Sequence, residues 1–508
     1  MVAGTGTANP LKFSAAETLT LPPLHELPGV ARVGQQQAFT RTETRYDSPD
    51  RALERHGLSV RRITDDAGTR WERSAPWDLP ETETRTPSWL ETAPGSPGSS
   101  GSSGSSGADG PDGRVPAGLL ANLQGVLRGR PLEPVESVTR QILRYELQDG
   151  SGAVAAWVTD EAVQAGIPHR GTGGLRAGGR SWAADGPDAD LVEQIADMFR
   201  QAGADPAPEE AEPAGREPPG PKSSMGSLLQ SYLGEQFTEI LRHEPRVRGG
   251  DPDGVHKMRV ATRRMRSALA SYRLVLAPEP ATWLRGELRW LAGVLGAARD
   301  AQVMRHRLKD LVAAEPEDLV MGPIAARIDE ELLDDYRKAY GRIREVLESD
   351  RYFLALDRLE ALVSAPAWTG TAEDPAGPAA AGMIRRDRKR LHRRVRRTRQ
   401  LSGSEYAEAL HDARKDAKRL RYAAEVWAMV QPAKAGTVVD AAERVQKILG
   451  EYQDSVVTRG YLRRMGASAS AAGENGFTYG RLHALEQANA QKAQEKFLAA
   501  WRDFPPAP

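Results

Sequence analysis

From about residue 223 onward, apolar residues recur every three or four positions, the spacing that lines one face of an α-helix. The pattern predicts helices over Leu228–Leu241, Val255–Val275, Thr282–Leu308, Ile324–Leu347 and Tyr352–Val363. It resumes in Met383–Leu401, Tyr406–Val430, Thr437–Met465 and Gly480–Trp501. Nine such segments with short connections predict antiparallel helical bundles. Before residue 203 the signals are shorter. Leu58–Ile63, Thr139–Leu147 and Ala153–Val158 read as strands separated by Gly, Asp and Pro, the layout of an antiparallel sheet. Leu119–Leu127 and Asp190–Ala202 read as helices. The expected fold is therefore multidomain, α+β in the N-terminal part and all-α in the C-terminal part.

Composition sharpens the boundaries. Glu91 to Asp112 includes a Gly/Ser repeat with nothing to bury, which predicts a flexible insertion. Residues 203–222 are rich in Pro, Glu and Ala and predict a stiffer linker between a domain at 1–202 and one at 223–505. The chain has no Cys, which excludes disulfides and thiol chemistry. No apolar run approaches the roughly 20 residues of a membrane span. A soluble, cytoplasmic protein is the expectation. The formal net charge of zero conceals two halves of opposite sign. Residues 1–222 carry about 22 Lys and Arg against 31 Asp and Glu, and the remainder about 47 against 38.

The basic half contains a repeat. His256, Arg259, Arg263, Arg264 and Arg266 are spaced as His411, Arg414, Lys418, Arg419 and Arg421, in the common pattern H-x-x-R-x-x-x-[RK]-R-x-R. The copies lie 155 residues apart. A second echo, Leu295-Gly to Asp300 against Leu449-Gly to Asp454, recurs at nearly the same offset, which marks an internal duplication. Steps of three, four and three place His256, Arg259, Arg263 and Arg266 within a stripe roughly 80° wide, and His411, Arg414, Lys418 and Arg421 within the same stripe. Like charges at this spacing destabilise a helix by a few tenths of a kcal/mol per pair. The rows therefore call for a counter-charge from another helix, from Asp300 and Asp454, or from a bound anion. Arginine's planar fork suits phosphate, and histidine adds a donor whose charge varies near neutral pH. A third basic stretch, Arg385 to Arg397, is basic nearly all round, a pattern that a merely solvated face shares.

At these residues the chain resembles the conserved histidine α-helical domain, the CHAD domain, over about residues 223–505. The resemblance implies a pair of four-helix bundles related by pseudo-two-fold symmetry with a basic groove between them. It also implies binding of inorganic polyphosphate, with some family members found on polyphosphate granules. Carried over by position, the implied phosphate contacts are His256, Arg259, Arg263, Arg264 and Arg266 with His411, Arg414, Lys415, Lys418, Arg419 and Arg421. Lys389, Arg393, Arg396 and Arg397 are further candidates. The rows have little of the aromatic interleaving that stacks bases, Tyr422 being the only aromatic beside either, so nucleic acid is the less expected partner.

The N-terminal part is similar to the CYTH or triphosphate tunnel fold, an antiparallel β-barrel. Leu11 to Phe13, then Tyr46 to Asp50, then Leu58 to Arg62, follow its strand order. Enzymes of that family carry E-x-E-x-K on the first strand and hold two divalent cations. Here Lys12 remains, but Ala8 and Pro10 stand where the glutamates belong. Trp157 stands near a further expected acid, and Arg180 to Trp182 near a late acid pair. The expectation is a degenerate tunnel with no catalytic residues, metal ligands or cofactor, in which Arg61 and Arg62 could still meet an anion. A metal-dependent triphosphatase is the alternative from this half. Oligomeric state is left open.

Overall fold

The structure, a computed structural model, describes residues 10–34, 36–77, 115–167, 179–207, 218–220 and 222–506. They fall into two compact units, one up to residue 207 and one from residue 218. The Gly/Ser insertion at 91–112 lies outside the described residues, as do Ala8 and much of the predicted linker.

The first unit is a nine-stranded antiparallel sheet. Its strands are β1 (Leu11–Ala15), β2 (Arg32–Val33), β3 (Gln37–Asp47), β4 (Ser59–Asp65), β5 (Gly68–Ser74), β6 (Glu133–Gln148), β7 (Val154–Ile167), β8 (Arg180–Asp185) and β9 (Asp205–Pro206). They run in the order β5-β4-β3-β6-β7-β8-β1-β9, with β2 added on β6. Helices α1 (Ala52–Arg55), α2 (Ala117–Leu127) and α3 (Ala189–Gln201) complete the unit. Phe13, Trp182, Val158 and Ala184 form a core with Leu191, Ile195 and Phe199 of α3. Alternation along the strands drives this, because residues two apart share a face. Strand β3 was not foreseen from periodicity alone. It reads Gln-Ala-Phe-Thr-Arg-Thr-Glu-Thr-Arg-Tyr-Asp, and most of its residues are polar. Strand β9 lies inside the predicted linker. After α3 the chain turns at Gly203, with φ of +91°, and lays Asp205 and Pro206 beside β1.

The second unit consists of α4 (Met225–Arg248), α5 (Pro252–Ser271), α6 (Pro278–Ala313), α7 (Ile324–Leu347), α8 (Asp350–Ser364), α9 (Ala376–Thr398), α10 (Gly403–Ala428), α11 (Pro432–Ala471) and α12 (Phe477–Arg502). Each predicted helix is present, and most are longer than the periodic stretch that announced them. Consecutive helices pack side by side through α4–α7 and again through α9–α12, and α8 packs against α4, α6 and α7 of the first set. The halves meet where α5 packs on α10. They meet again where Met304, Leu308 and Ile328 of α6 and α7 share a core with Leu462, Met465 and Leu482 of α11 and α12.

Candidate functional site in the helical unit

Helix α5 begins at Asp251, whose side chain accepts from the Asp253 backbone N–H, with Pro252 in the first turn where its missing N–H costs nothing. Val255, Met258, Thr262, Met265 and Leu269 are buried along one side. On α10 the buried series is Leu410, Ala413, Ala417, Leu420 and Ala424. Burying these series turns both basic rows toward the junction of the halves. The junction is close to two-fold. Arg264 of α5 pairs with Glu425 of α10 at 3.0 Å. The related contact joins Arg419 of α10 to the carbonyl oxygen of Ala270 of α5 at 2.8 Å.

The structure brings Arg259, Arg263, Arg414 and Lys418 together at this junction. Arg263 carries the repulsion of Arg259 and Arg414, and Lys418 that of all three arginines. Arg259 donates to Asp300 of α6 at 3.1 Å. Arg263 and Lys418 have no ion-pair partner among the described residues. Burial, followed by Arg263, Arg414 and Arg259, pushes the Lys418 ammonium from its usual value down to about 6. Burial raises Asp454, although Arg414, Arg307 and Lys418 oppose it. Burial lowers both histidines, with Arg299 adding to the effect at His256 and Lys415 and Arg414 at His411. A half-buried site with several cations and few acids is short of negative charge.

The glycines of the duplicated Leu-Gly echo have a physical role here. A Cβ at Gly296 would meet Nη2 of Arg259 at 3.2 Å, and one at Gly450 would meet Nη2 of Arg414 at 3.1 Å. Each guanidinium crosses the neighbouring long helix where that helix has no side chain.

Other residues of the rows are engaged within the protein. Arg419 pairs with Asp387 at 2.9 Å and donates to Ser271 Oγ at 3.1 Å. Arg421 pairs with Glu425 at 3.0 Å and Glu443 at 3.3 Å. Arg264 pairs with Glu425 and lies over the Tyr422 ring. Lys415 is exposed and pairs with Asp412 at 3.2 Å. On α9, Arg390 and Arg394 reach Asp416 and Asp412 of α10. Lys389, Arg393, Arg396 and Arg397 of α9 are exposed. Arg266 stands beside Arg285 and Arg289 of α6, neither of which the repeat announced. Arg307 was also missed. It donates to Ser455 at 3.0 Å and to the buried Glu486 at 2.6 Å, tying α6 to α11 and α12. These arginines lie outside the H-x-x-R pattern, and only contacts between helices reveal them.

In the sheet unit, the face of Lys12 runs through Ala183, Thr159 and Arg144 to Gln37 and along β3 to Glu43 and Arg45. Glu43 is held by Arg140 at 3.2 Å and Glu136 by Arg45 at 3.2 Å. Trp157, on the same face, lies under the Arg144 guanidinium at 5.4 Å. Arg180 and Trp182 turn to the opposite side, where both donate to the buried Asp160, at 2.7 and 3.0 Å. Arg61 is exposed beside Ser59, and Arg62 lies over Tyr46. Among the described residues no cluster of three or more His, Asp or Glu is placed to hold a metal ion. Glu43 and Glu136 already face arginines, so neither offers the free hard oxygens that Mg²⁺ needs.

A family model described as the CHAD domain matches residues 231–463, which include both histidine rows. Two proteins of Mycobacterium tuberculosis, Uncharacterized protein MT2285 (strain CDC 1551 / Oshkosh) and Uncharacterized protein Rv2226 (strain ATCC 25618 / H37Rv), are each 32% identical over 517 residues. Each match covers 97% of this chain and 95% of the relative. Among solved structures, PptA from Streptomyces chartreusis is 20% identical with a TM-score of 0.48, covering 55% of this chain and 100% of that one. The CHAD domain from the plant Ricinus communis is 24% identical with a TM-score of 0.44, covering 59% and 98%. No helix among the described residues is long and apolar enough to cross a membrane. By its duplicated histidine rows, the family-model match and its relatives of 32% identity, the chain belongs to the CHAD domain family.

Proposed function

We propose that the helical unit binds inorganic polyphosphate in the junction between α5 and α10. One observation carries this reading. Arg263 and Lys418 are half-buried among further cations with no ion-pair partner among the described residues. A fold seldom retains such a cluster for stability, because each cation loses hydration without a compensating charge. Arg259 and Arg414, with His256 and His411 one turn earlier on each row, extend the same face, so cations repeat along the helices as phosphates repeat along a polyphosphate chain. Binding is mainly electrostatic and weakens steeply with salt. The sheet unit acts as a scaffold or docking module rather than a hydrolase, and association with polyphosphate granules follows from capture by the helical unit.

Calorimetric titration of the full chain with long-chain polyphosphate at two salt concentrations tests the reading, with single-stranded DNA as competitor. The expected result is saturable, salt-sensitive binding that DNA does not displace. The double variant Arg263→Glu with Lys418→Glu should abolish binding while helicity is retained. Preferential binding of DNA would overturn the proposal.

A further inference from the structure

The duplication allows each half to serve as a control for the other. Arg266 and Arg421 occupy equivalent places, one turn beyond the central cations. Their surroundings differ. Arg421 is neutralised by Glu425 at 3.0 Å and Glu443 at 3.3 Å. At the offsets of 155 and 154 residues, the counterparts of these two acids are Ala270 and Arg289. One acid has become a small apolar residue and the other an arginine. Val439 of α11 likewise corresponds to Arg285 of α6. Around Arg266 there are thus two more arginines and neither of the two glutamates that Arg421 has.

Like charges crowd the first flank. Burial, then Arg289 and Arg285, lowers the Arg266 guanidinium. Burial, then Arg419, Arg289, Arg273 and Arg390, lowers that of Arg285. Arg266, Arg285 and Arg289 have no ion-pair partner among the described residues, and Nε of Arg285 is buried without an acceptor. An unneutralised run of three arginines beside a neutralised counterpart is not a requirement of the shared fold, because the second half packs the same helices without it.

We propose that the groove is one-ended: a long polyanion extends from the central cluster over Arg266, Arg285 and Arg289, and not over the Arg421 flank. The proposal rests on the polyphosphate reading and adds a second subsite to it. Short oligophosphates fill the centre alone. Only a chain long enough to leave the centre gains the arginines of α6, whose planar forks suit successive phosphates.

The test compares tripolyphosphate with long-chain inorganic polyphosphate on the full chain, for the wild type, Arg285→Gln with Arg289→Gln, and Glu443→Arg. The arginine double variant should lose about tenfold in affinity for the long chain. It should also release about two fewer counterions on binding. Its affinity for tripolyphosphate should stay within about twofold. Glu443→Arg, which gives the second flank the residue of the first, should strengthen long-chain binding. Equal losses for both ligands, or no loss for either, would overturn the one-ended groove while leaving polyphosphate binding in place. A wild type that binds neither ligand would overturn both readings. Should the double variant lose helicity, Arg289→Gln alone makes the same comparison, since Arg289 is exposed.

Discussion

Gly450 lies directly beneath the guanidinium of Arg414, so close that a Cβ there would sit 3.1 Å from Nη2. The related pair is Gly296 and Arg259, at 3.2 Å. A glycine inside a helix costs about 1 kcal/mol relative to alanine. Both long helices carry that cost at the same place, and what they gain is the position of an arginine rather than a stronger helix.

Gly450→Ala therefore separates stability from function. The added methyl meets the end of a flexible side chain, which moves aside. Thermal unfolding should show stability unchanged or raised by up to about 1 kcal/mol. Polyphosphate affinity should fall by about threefold or more as Arg414 is displaced, a difference that calorimetry resolves.

Lys418 links binding to protons. The groups acting on it are Arg263, Arg414 and Arg259, with Asp454 opposing, and its ammonium is pushed down to about 6. Near neutral pH and above, the anion-free protein therefore holds it largely uncharged. A bound phosphate restores the charge, so binding at about pH 8 should take up as much as about one proton. Calorimetry in two buffers of different ionisation enthalpy measures this uptake, and Lys418→Met should remove it.

The same group shapes stability against pH. Its folded value lies below the ordinary 10.5 of the unfolded chain, so between these values the unfolded state holds more protons. Its contribution to stability rises with pH across that window and is lost as pH falls towards 6. Urea midpoints of the anion-free protein should show this rise, and Lys418→Met should flatten it.

Arg263 and Asp387 should respond in opposite ways. Arg263→Ala removes a half-buried cation without an ion-pair partner among the described residues, so stability should hold or rise slightly while polyphosphate affinity falls at least about tenfold. Asp387 is 4% exposed and binds Arg419 and Ser271. Asp387→Ala strands Arg419 and should cost about 3 kcal/mol in chemical denaturation.

The sheet unit offers a parallel case. Asp160 is 2% exposed and accepts from Arg180 and from Trp182 Nε1. Asp160→Ala removes the acceptor of Trp182 and the counter-charge of Arg180, which keeps only the Leu19 carbonyl, and should destabilise that unit by about 3 kcal/mol. Polyphosphate binding by the helical unit should be unaffected, which one denaturation curve and one titration establish.

Sequence alone determined the nine helices of the second unit, because helical period is a local property that each segment displays unaided. It also determined the two basic rows and their duplication, since both are patterns of spacing. Strand β3 escaped because most of its residues are polar. The tertiary structure decided which cations are neutralised by an acid and which have no ion-pair partner among the described residues. Arg264, Arg419 and Arg421 share the row pattern with Arg263 and Lys418, yet they face Glu425, Asp387 and Glu443. Most of those acids stand on other helices, and Glu425, though on α10 itself, also reaches across to Arg264 of α5. The asymmetry between Arg266 and Arg421 was equally out of reach, since it is written in residues of α6 and α11 that no periodicity marks. The charge of a side chain belongs to its sequence position, but its neutralisation depends on partners that only packing brings within reach.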